Sequence, residues 1–254
     1  MAELISVIIQ DRILTIRMQR PEKKNALTQE MYLGMNQALQ QADADASVRV
    51  ILLTGTQDCF TAGNDLVDFA NARPGETSPA ILYLQTLAAV KKPIVAAVSG
   101  VAVGIGTTML LHCDLVYADS TARFQLPFAS LGLCPEAGSS IILPALMGQR
   151  RAAELLYFGE PFNADKARTL GIVNEVITEG AVLETVLAKT RQLAEKPPSA
   201  LRTTKMLLKH ATAAQIADAM ARETQQFAAL LQGPEAKEAM SAFLERRKTD
   251  FSKF

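Results

Sequence analysis

The chain has 254 residues, 49% of them hydrophobic and 20% charged, with Lys+Arg and Asp+Glu both at 26 and a formal net charge of zero. That is enough apolar material for one sizeable α/β domain with a modest extension, and the balanced charge offers no global field to nucleic acid or an anionic membrane. No apolar run approaches the roughly 20 residues of a membrane-spanning helix. The three cysteines, Cys59, Cys113 and Cys134, form no close-spaced pair, so they read as buried thiols in a reducing compartment and not as a disulfide or zinc framework. The first residues carry Glu3 and no basic stretch, unlike a signal peptide. Ser252-Lys253-Phe254 misses a peroxisomal tripeptide at its last residue. The expected location is cytoplasmic.

In chain order, Ile5 to Ile9 and Ile13 to Met18 are β-rich and flank the polar pair Asp11-Arg12, a hairpin signal. Leu27, Met31, Met35 and Leu39 recur every fourth residue, which predicts a helix from Thr28, its N-cap, to about Ala42. Val48 to Thr54 is a continuous apolar run, the mark of a strand buried on both faces. Gly55 to Gly75 reads as a loop, with turn residues at Gly63-Asn64-Asp65 and Pro74-Gly75. A helix is expected over Pro79 to Val90 and a buried strand over Pro93 to Val98. Gly100, Gly104 and Gly106 then punctuate a turn, and Leu110 to Tyr117 holds a helix end and a strand. This alternation predicts a mostly parallel sheet with helical crossovers. After Gly138 the chain becomes helical. Asn163 can cap a short helix that Gly171 closes, and Ile172 to Ile177 can form a last strand. Pro198 and Pro234 can each open a helix. The expected division is a core over 1–195 and a helical C-terminal region over 196–254.

Common catalytic signatures are missing: no G-x-S-x-G, H-E-x-x-H or G-x-x-x-x-G-K-[ST] occurs, and Gly100, Gly104 and Gly106 do not fit a dinucleotide fingerprint. His112 and His210 have no third partner for a metal. His112, beside Leu110, Leu111 and Cys113, reads as a satisfied core histidine, and no metal is expected. Three places can carry chemistry. The loops at Phe60 to Leu66 and Val103 to Gly106 each follow a strand, and unpaired N–H groups at such turns can face a negative oxygen. They can equally be tight turns whose glycines only supply positive φ. Glu136, in Leu133-Cys134-Pro135-Glu136-Ala137-Gly138, is either a first-turn acid favoured by the helix dipole or a general base in an apolar setting.

In order, these places resemble the crotonase superfamily of enoyl-CoA hydratases and isomerases. The likeness runs through Arg20-Pro21-Glu22-Lys23-Lys24-Asn25-Ala26-Leu27, then Ala62-Gly63-Asn64-Asp65-Leu66, Lys92 to Gly100, Ala102-Val103-Gly104-Ile105-Gly106, Cys113-Asp114-Leu115-Val116, Leu131 to Glu136, and Ala164 to Asn174. It implies an α/β spiral of ββα units with a helical C-terminal region that packs trimers, often paired into hexamers. It implies an acyl-CoA substrate whose thioester oxygen sits between the N–H groups of Asn64 and Ile105. Lys23, Ala26, Ala62, Asp65 and Leu66 are its implied CoA contacts, and no cofactor is implied beyond the CoA of the substrate. Arg246, Arg247, Lys248 and Lys253 form a basic cluster that is either a solvated face or a contact to the nucleotide end of CoA.

The hydratases of that superfamily place two glutamates where this chain has Thr108 and Phe128. Pro127 to Ser140 is instead similar to the peroxisomal-type 3-enoyl-CoA to 2-enoyl-CoA isomerases, which place a single catalytic glutamate at the position of Glu136. One carboxylate suffices to move a proton from C2 to C4, and Met109 and Phe128 suit an acyl chain, or plain core packing. Hydration of a 2-enoyl-CoA is the second reading, and a non-catalytic acyl-CoA-binding protein the third.

Overall fold

The computed structural model describes residues 4–70 and 78–254. The expected hairpin is formed by β1 (Ile5–Gln10) and β2 (Ile13–Met18), antiparallel and in register from Gln10↔Ile13 to Ile5↔Met18. Its two-residue turn places Asp11 and Arg12 at φ 52° and 64°, the conformation that matches the twist of the flanking strands. β2 then pairs in parallel with β3 (Val50–Thr54), β3 with β5 (Ile94–Val98), β5 with β7 (Leu115–Asp119) and β7 with β10 (Glu175–Ile177).

Every residue of β3 and β5 is buried, and their side chains alternate between two layers. Val50, Leu52, Val95 and Ala97 pack with Val182 and Val186 of α8 (Val182–Ala194). Ile51, Leu53, Ile94, Ala96 and Val98 face the larger core, with Met31, Met35 and Leu39 of α1 (Gln29–Ala44) and Tyr83 and Leu87 of α3 (Pro79–Ala89). The caps act as read: Thr28 accepts from Met31 N at 3.3 Å and Asn163 accepts from Lys166 N at 2.9 Å, the latter opening α7 (Ala164–Thr169).

The expected loop over 55–75 is corrected by the structure. It contains a strand, β4 (Cys59–Thr61), and a short helix, α2 (Leu66–Ala70); its stretch from 71 to 75 lies outside the described residues. β4 belongs to a second sheet of short strands in the order β4, β6 (Val101–Val103), β8 (Arg123–Gln125) and β9 (Phe162–Asn163). Strands of two or three residues are too short to show an alternation, so neither β8 nor β9 is visible as a pattern. The last strand is also shorter than expected, beginning at Glu175 instead of Ile172.

The chain after Gly138 is helical apart from β9 and β10, with α5 (Ser139–Met147) and α6 (Gln149–Phe158) in sequence. α9 (Pro198–Leu231) and α10 (Pro234–Leu244) follow the two proline signals, but residues 245–254 are not helical. Buried Lys205 docks α9 on the core, its Nζ 2.7 Å from Asp114 Oδ2 and 2.8 Å from Lys92 O. No described helix is long and apolar enough to cross a membrane.

Candidate active site

The segment 20–27 is a clip that holds β4 and the loop after it. Arg20 Nη1 donates to Asp65 Oδ2 at 2.7 Å and to Ala26 O at 2.9 Å. Asn25, fully buried, donates from Nδ2 to Cys59 O and Phe60 O at 2.8 and 3.1 Å. The backbone continues the grip: Leu27 N donates to Gly63 O and Asp65 N to Leu27 O, at 2.8 and 2.9 Å. Leu27 thus bridges the residues on either side of Asn64, so the N–H of Asn64 itself is turned away from this segment.

The second loop approaches the first because β4 and β6 are parallel neighbours, and the chain leaves both strands at the same end. Contact is close. A Cβ on Gly63, at φ 91°, would lie 2.7 Å from Val103 O, and one on Gly106 would lie 2.7 Å from Thr61 Cγ2; only glycine permits this approach. Ile105 is the first residue of a one-turn helix, α4 (Ile105–Thr108), so its N–H has no acceptor within the helix. The two amides singled out in the sequence therefore emerge from adjoining loops.

Glu136 joins the same turn of helix. Thr108, fully buried at the other end of α4, donates its hydroxyl to Glu136 Oε1. Burial pushes the Glu136 carboxyl up to about 7; the Thr108 hydrogen bond opposes the rise and the charge of Glu223 adds to it. Tyr32, buried on α1, donates to Asn64 Oδ1 at 2.6 Å, and the charge of Glu136 reaches its phenol. Tyr32 also lies against Tyr83, ring centroids 5.8 Å apart, and Tyr83 donates to Met109 Sδ at 3.6 Å.

The other residues singled out in the sequence fall into two groups. Ala62 and Asp65 lie in the loop after β4, Leu66 opens α2 and Ala26 lies in the clip beside them, all half-buried, while Lys23 is exposed. Met109 and Phe128 are buried in the main core, Met109 completely, so packing is what the fold asks of them. The C-terminal basic cluster is partly neutralised: Arg247 pairs with Glu238 and, at 2.6 Å, with Glu245. His112 is the satisfied core histidine expected, with Nε2 2.7 Å from Ala137 O. Cys59 is buried, but Cys113 and Cys134 are only partly so, and all three are free. Among the described residues no group of three or more His, Cys, Asp or Glu could hold a metal ion.

Tyr32, Thr108 as a hydrogen-bond donor, and Glu223 are contributors that the sequence did not single out. Tyr32 sits next to the helical stripe of α1, not on it. In the sequence Thr108 is marked only by standing where the hydratases of the superfamily place a glutamate.

Comparison with known proteins agrees with this architecture. Residues 9–253 match the family described as enoyl-CoA hydratase/isomerase. The 2,3-dehydroadipyl-CoA hydratase of Escherichia coli (strain K12) is 34% identical over 255 residues, 99% of each chain. Enoyl-CoA delta isomerase 2 of Rattus norvegicus is 38% identical over 212 residues, 81% of this chain and 54% of its own, so this chain spans about half the length of that isomerase. The crystal structure of an enoyl-CoA hydratase/isomerase from Pseudoalteromonas atlantica T6c superposes with a TM-score of 0.94 at 38% identity, covering 98% of this chain and 100% of that one. With the family's fold present and its sequence pattern matched almost from end to end, this chain belongs to the enoyl-CoA hydratase/isomerase family, the crotonase superfamily.

Proposed function

We propose that the chain is an isomerase that shifts the double bond of a 3-enoyl-CoA to the 2-position. The acyl-CoA thioester lies with its oxygen between the N–H groups of Asn64 and Ile105. Glu136 removes a proton from C2, the charge of the resulting dienolate gathers on the thioester oxygen, and Glu136 returns the proton at C4. One such N–H donor is typically worth about 2.7–4 kcal/mol when aimed at a developing oxyanion. A base whose pKa lies near 7 both takes and gives a proton readily at neutral pH.

The observation that carries this reading is the hydrogen bond from Thr108 to Glu136. It ties the carboxyl to the same helical turn whose first residue supplies an oxyanion N–H, and it puts a hydroxyl, not a second carboxylate, beside the base. The other carboxylate that influences Glu136, Glu223, is buried and accepts from the backbone N–H groups of Gly138 and Ser140, one on each oxygen, so it is engaged in holding the backbone next to the base. The half-buried surface of Ala26, Ala62, Asp65 and Leu66, next to exposed Lys23, supports contact with CoA, which the substrate itself brings. Exposed Met206, Leu207 and Leu208 on α9 support self-association as a trimer or hexamer.

Hydration of a 2-enoyl-CoA is the second reading, favoured by the full-length similarity to the Escherichia coli hydratase. The two are separated by offering the protein 3-hexenoyl-CoA and crotonyl-CoA in parallel. Isomerisation produces conjugated thioester absorbance from the first and leaves the second unchanged. Loss of absorbance from crotonyl-CoA at a comparable rate supports hydration, and acyl-CoA binding with neither change would mean a non-catalytic protein.

A further inference from the structure

The turn that carries Glu136 is strained and is held from outside itself. Directly after Glu136, Ala137 adopts φ 60° and Gly138 φ 72°. Left-handed backbone at the non-glycine Ala137 costs about 1–3 kcal/mol and persists only where its surroundings enforce it. Gly138 then serves as the N-cap of α5 with no side chain to satisfy the first N–H groups of that helix. Glu223 of α9 supplies what the cap lacks. Its Oε2 accepts from Gly138 N at 2.6 Å and its Oε1 from Ser140 N at 2.9 Å. Ile216 and Met220 of the same helix come so close that a Cβ on Gly138 would lie 3.1 and 3.4 Å from them. From the opposite side His112, buried and kept neutral by a pKa pushed down to about 4, donates from Nε2 to Ala137 O. Ser139 closes the turn by donating from N and Oγ to Glu136 O.

We infer that Glu223 and His112 are positioning residues: from opposite sides they lock the left-handed turn Ala137–Gly138, and through it the C-terminal helix α9 aims the Glu136 carboxyl at the substrate carbons. The inference rests on the reading of Glu136 as the base. The groups that bear on that carboxyl are Thr108 from α4, Tyr32 from α1, Cys134 from its own loop and Glu223 from α9. Of these, Glu223 carries a like charge, and that charge raises the pKa of Glu136.

The test uses the full-length protein with 3-hexenoyl-CoA. Glu223→Gln takes away the charge and opposes one backbone donor with an amide NH₂. It is expected to lower kcat about 10- to 100-fold, to leave KM within about threefold, and to move the acid limb of kcat/KM to lower pH. His112→Leu is expected to lower kcat similarly with the limb in place, because a neutral group is removed. Glu223→Asp, which keeps the charge and shortens the reach, covers a Glu223→Gln protein that does not fold: kcat falls and the limb stays. Variants that fold with kcat within about threefold of the unaltered protein overturn the inference. So does a fall in kcat for Glu223→Gln that tracks a lowered Tm while the limb stays put, which would mean general structural support. Glu136→Gln run alongside separates the two claims: if it keeps full turnover, the base assignment itself fails, whereas an inactive Glu136→Gln beside fully active Glu223 variants overturns only the inference.

Discussion

Replacing Thr108 by valine removes one hydroxyl and almost no volume, and its consequence follows from a single contact. The Thr108 hydroxyl is a donor to Glu136 and holds down a pKa that burial raises, the balance lying at about 7. A hydrogen bond to a charged group contributes about 1.5–3 kcal/mol, and each 1.36 kcal/mol corresponds to a tenfold change in ionisation equilibrium. Thr108→Val therefore moves the acid limb of kcat/KM upward by at least about one pH unit. At pH 7 about half of the Glu136 carboxyls are ionised in the unaltered protein; a tenfold change leaves about one in eleven, a loss of about fivefold in rate. A stronger base abstracts a proton faster, so the rate recovers by about pH 9. The assay is the pH profile of isomerisation of 3-hexenoyl-CoA under kcat/KM conditions. A limb that stays in place or moves down would refute the assignment, and a loss that persists at pH 9 would mean that Thr108 acts otherwise than through the Glu136 carboxyl.

Other consequences concern stability and the oxyanion loop. Because the Glu136 pKa is raised from 4.5 to about 7, the folded protein holds a proton in that interval that the unfolded chain has released, and stability falls as pH rises through it. Glu136→Gln is therefore expected to be more stable than the unaltered protein above pH 7, by up to about 3 kcal/mol, and equal to it below about pH 4.5, as read from denaturant midpoints across pH. Asn25→Ala removes the side chain that satisfies Cys59 O, Phe60 O and Arg20 N and is expected to cost about 2–4 kcal/mol in urea unfolding. Tyr32→Phe frees the Asn64 side chain from its 2.6 Å tether and is expected to lower kcat about 3- to 10-fold with KM nearly unchanged, measured by steady-state kinetics.

Where local chemistry decides local structure, the sequence was readable. The Asp11-Arg12 turn, the Thr28 and Asn163 caps and the apolar runs of β3 and β5 all signal elements that form. The second sheet was not readable, because β4, β6, β8 and β9 are two or three residues long and are specified by their neighbours, not by a period of their own. The site divides in the same way. Local sequence leaves Glu136 open between a first-turn acid and a base in an apolar setting, and marks the two glycine-containing loops only as turns; the ordered resemblance to the crotonase superfamily is what joins them. The partners that give these groups their properties come from far along the chain: Thr108 is 28 residues from Glu136, Tyr32 is 32 residues from Asn64, and Glu223 is 85 residues from Gly138. Nothing local marks such pairs. The segment from Arg20 to Leu27 shows the converse. It looked like part of a ligand surface, yet Arg20 and Asn25 are spent on holding β4 and the loop of Asn64 in place.

The most direct test of the central claim, that one carboxyl carries the proton between C2 and C4, is turnover of 3-hexenoyl-CoA in heavy water by the unaltered protein and by Glu136→Gln. The account predicts that the unaltered protein forms 2-hexenoyl-CoA that keeps hydrogen from C2 at C4, deuterium entering there only where the Glu136 proton exchanges with solvent before its return, and that the variant, still folded and still binding the substrate, is slower by about 10²–10⁴-fold or more. Turnover by the variant within about threefold of the unaltered protein, or a 3-hydroxyacyl product formed as fast as the isomer, would contradict it.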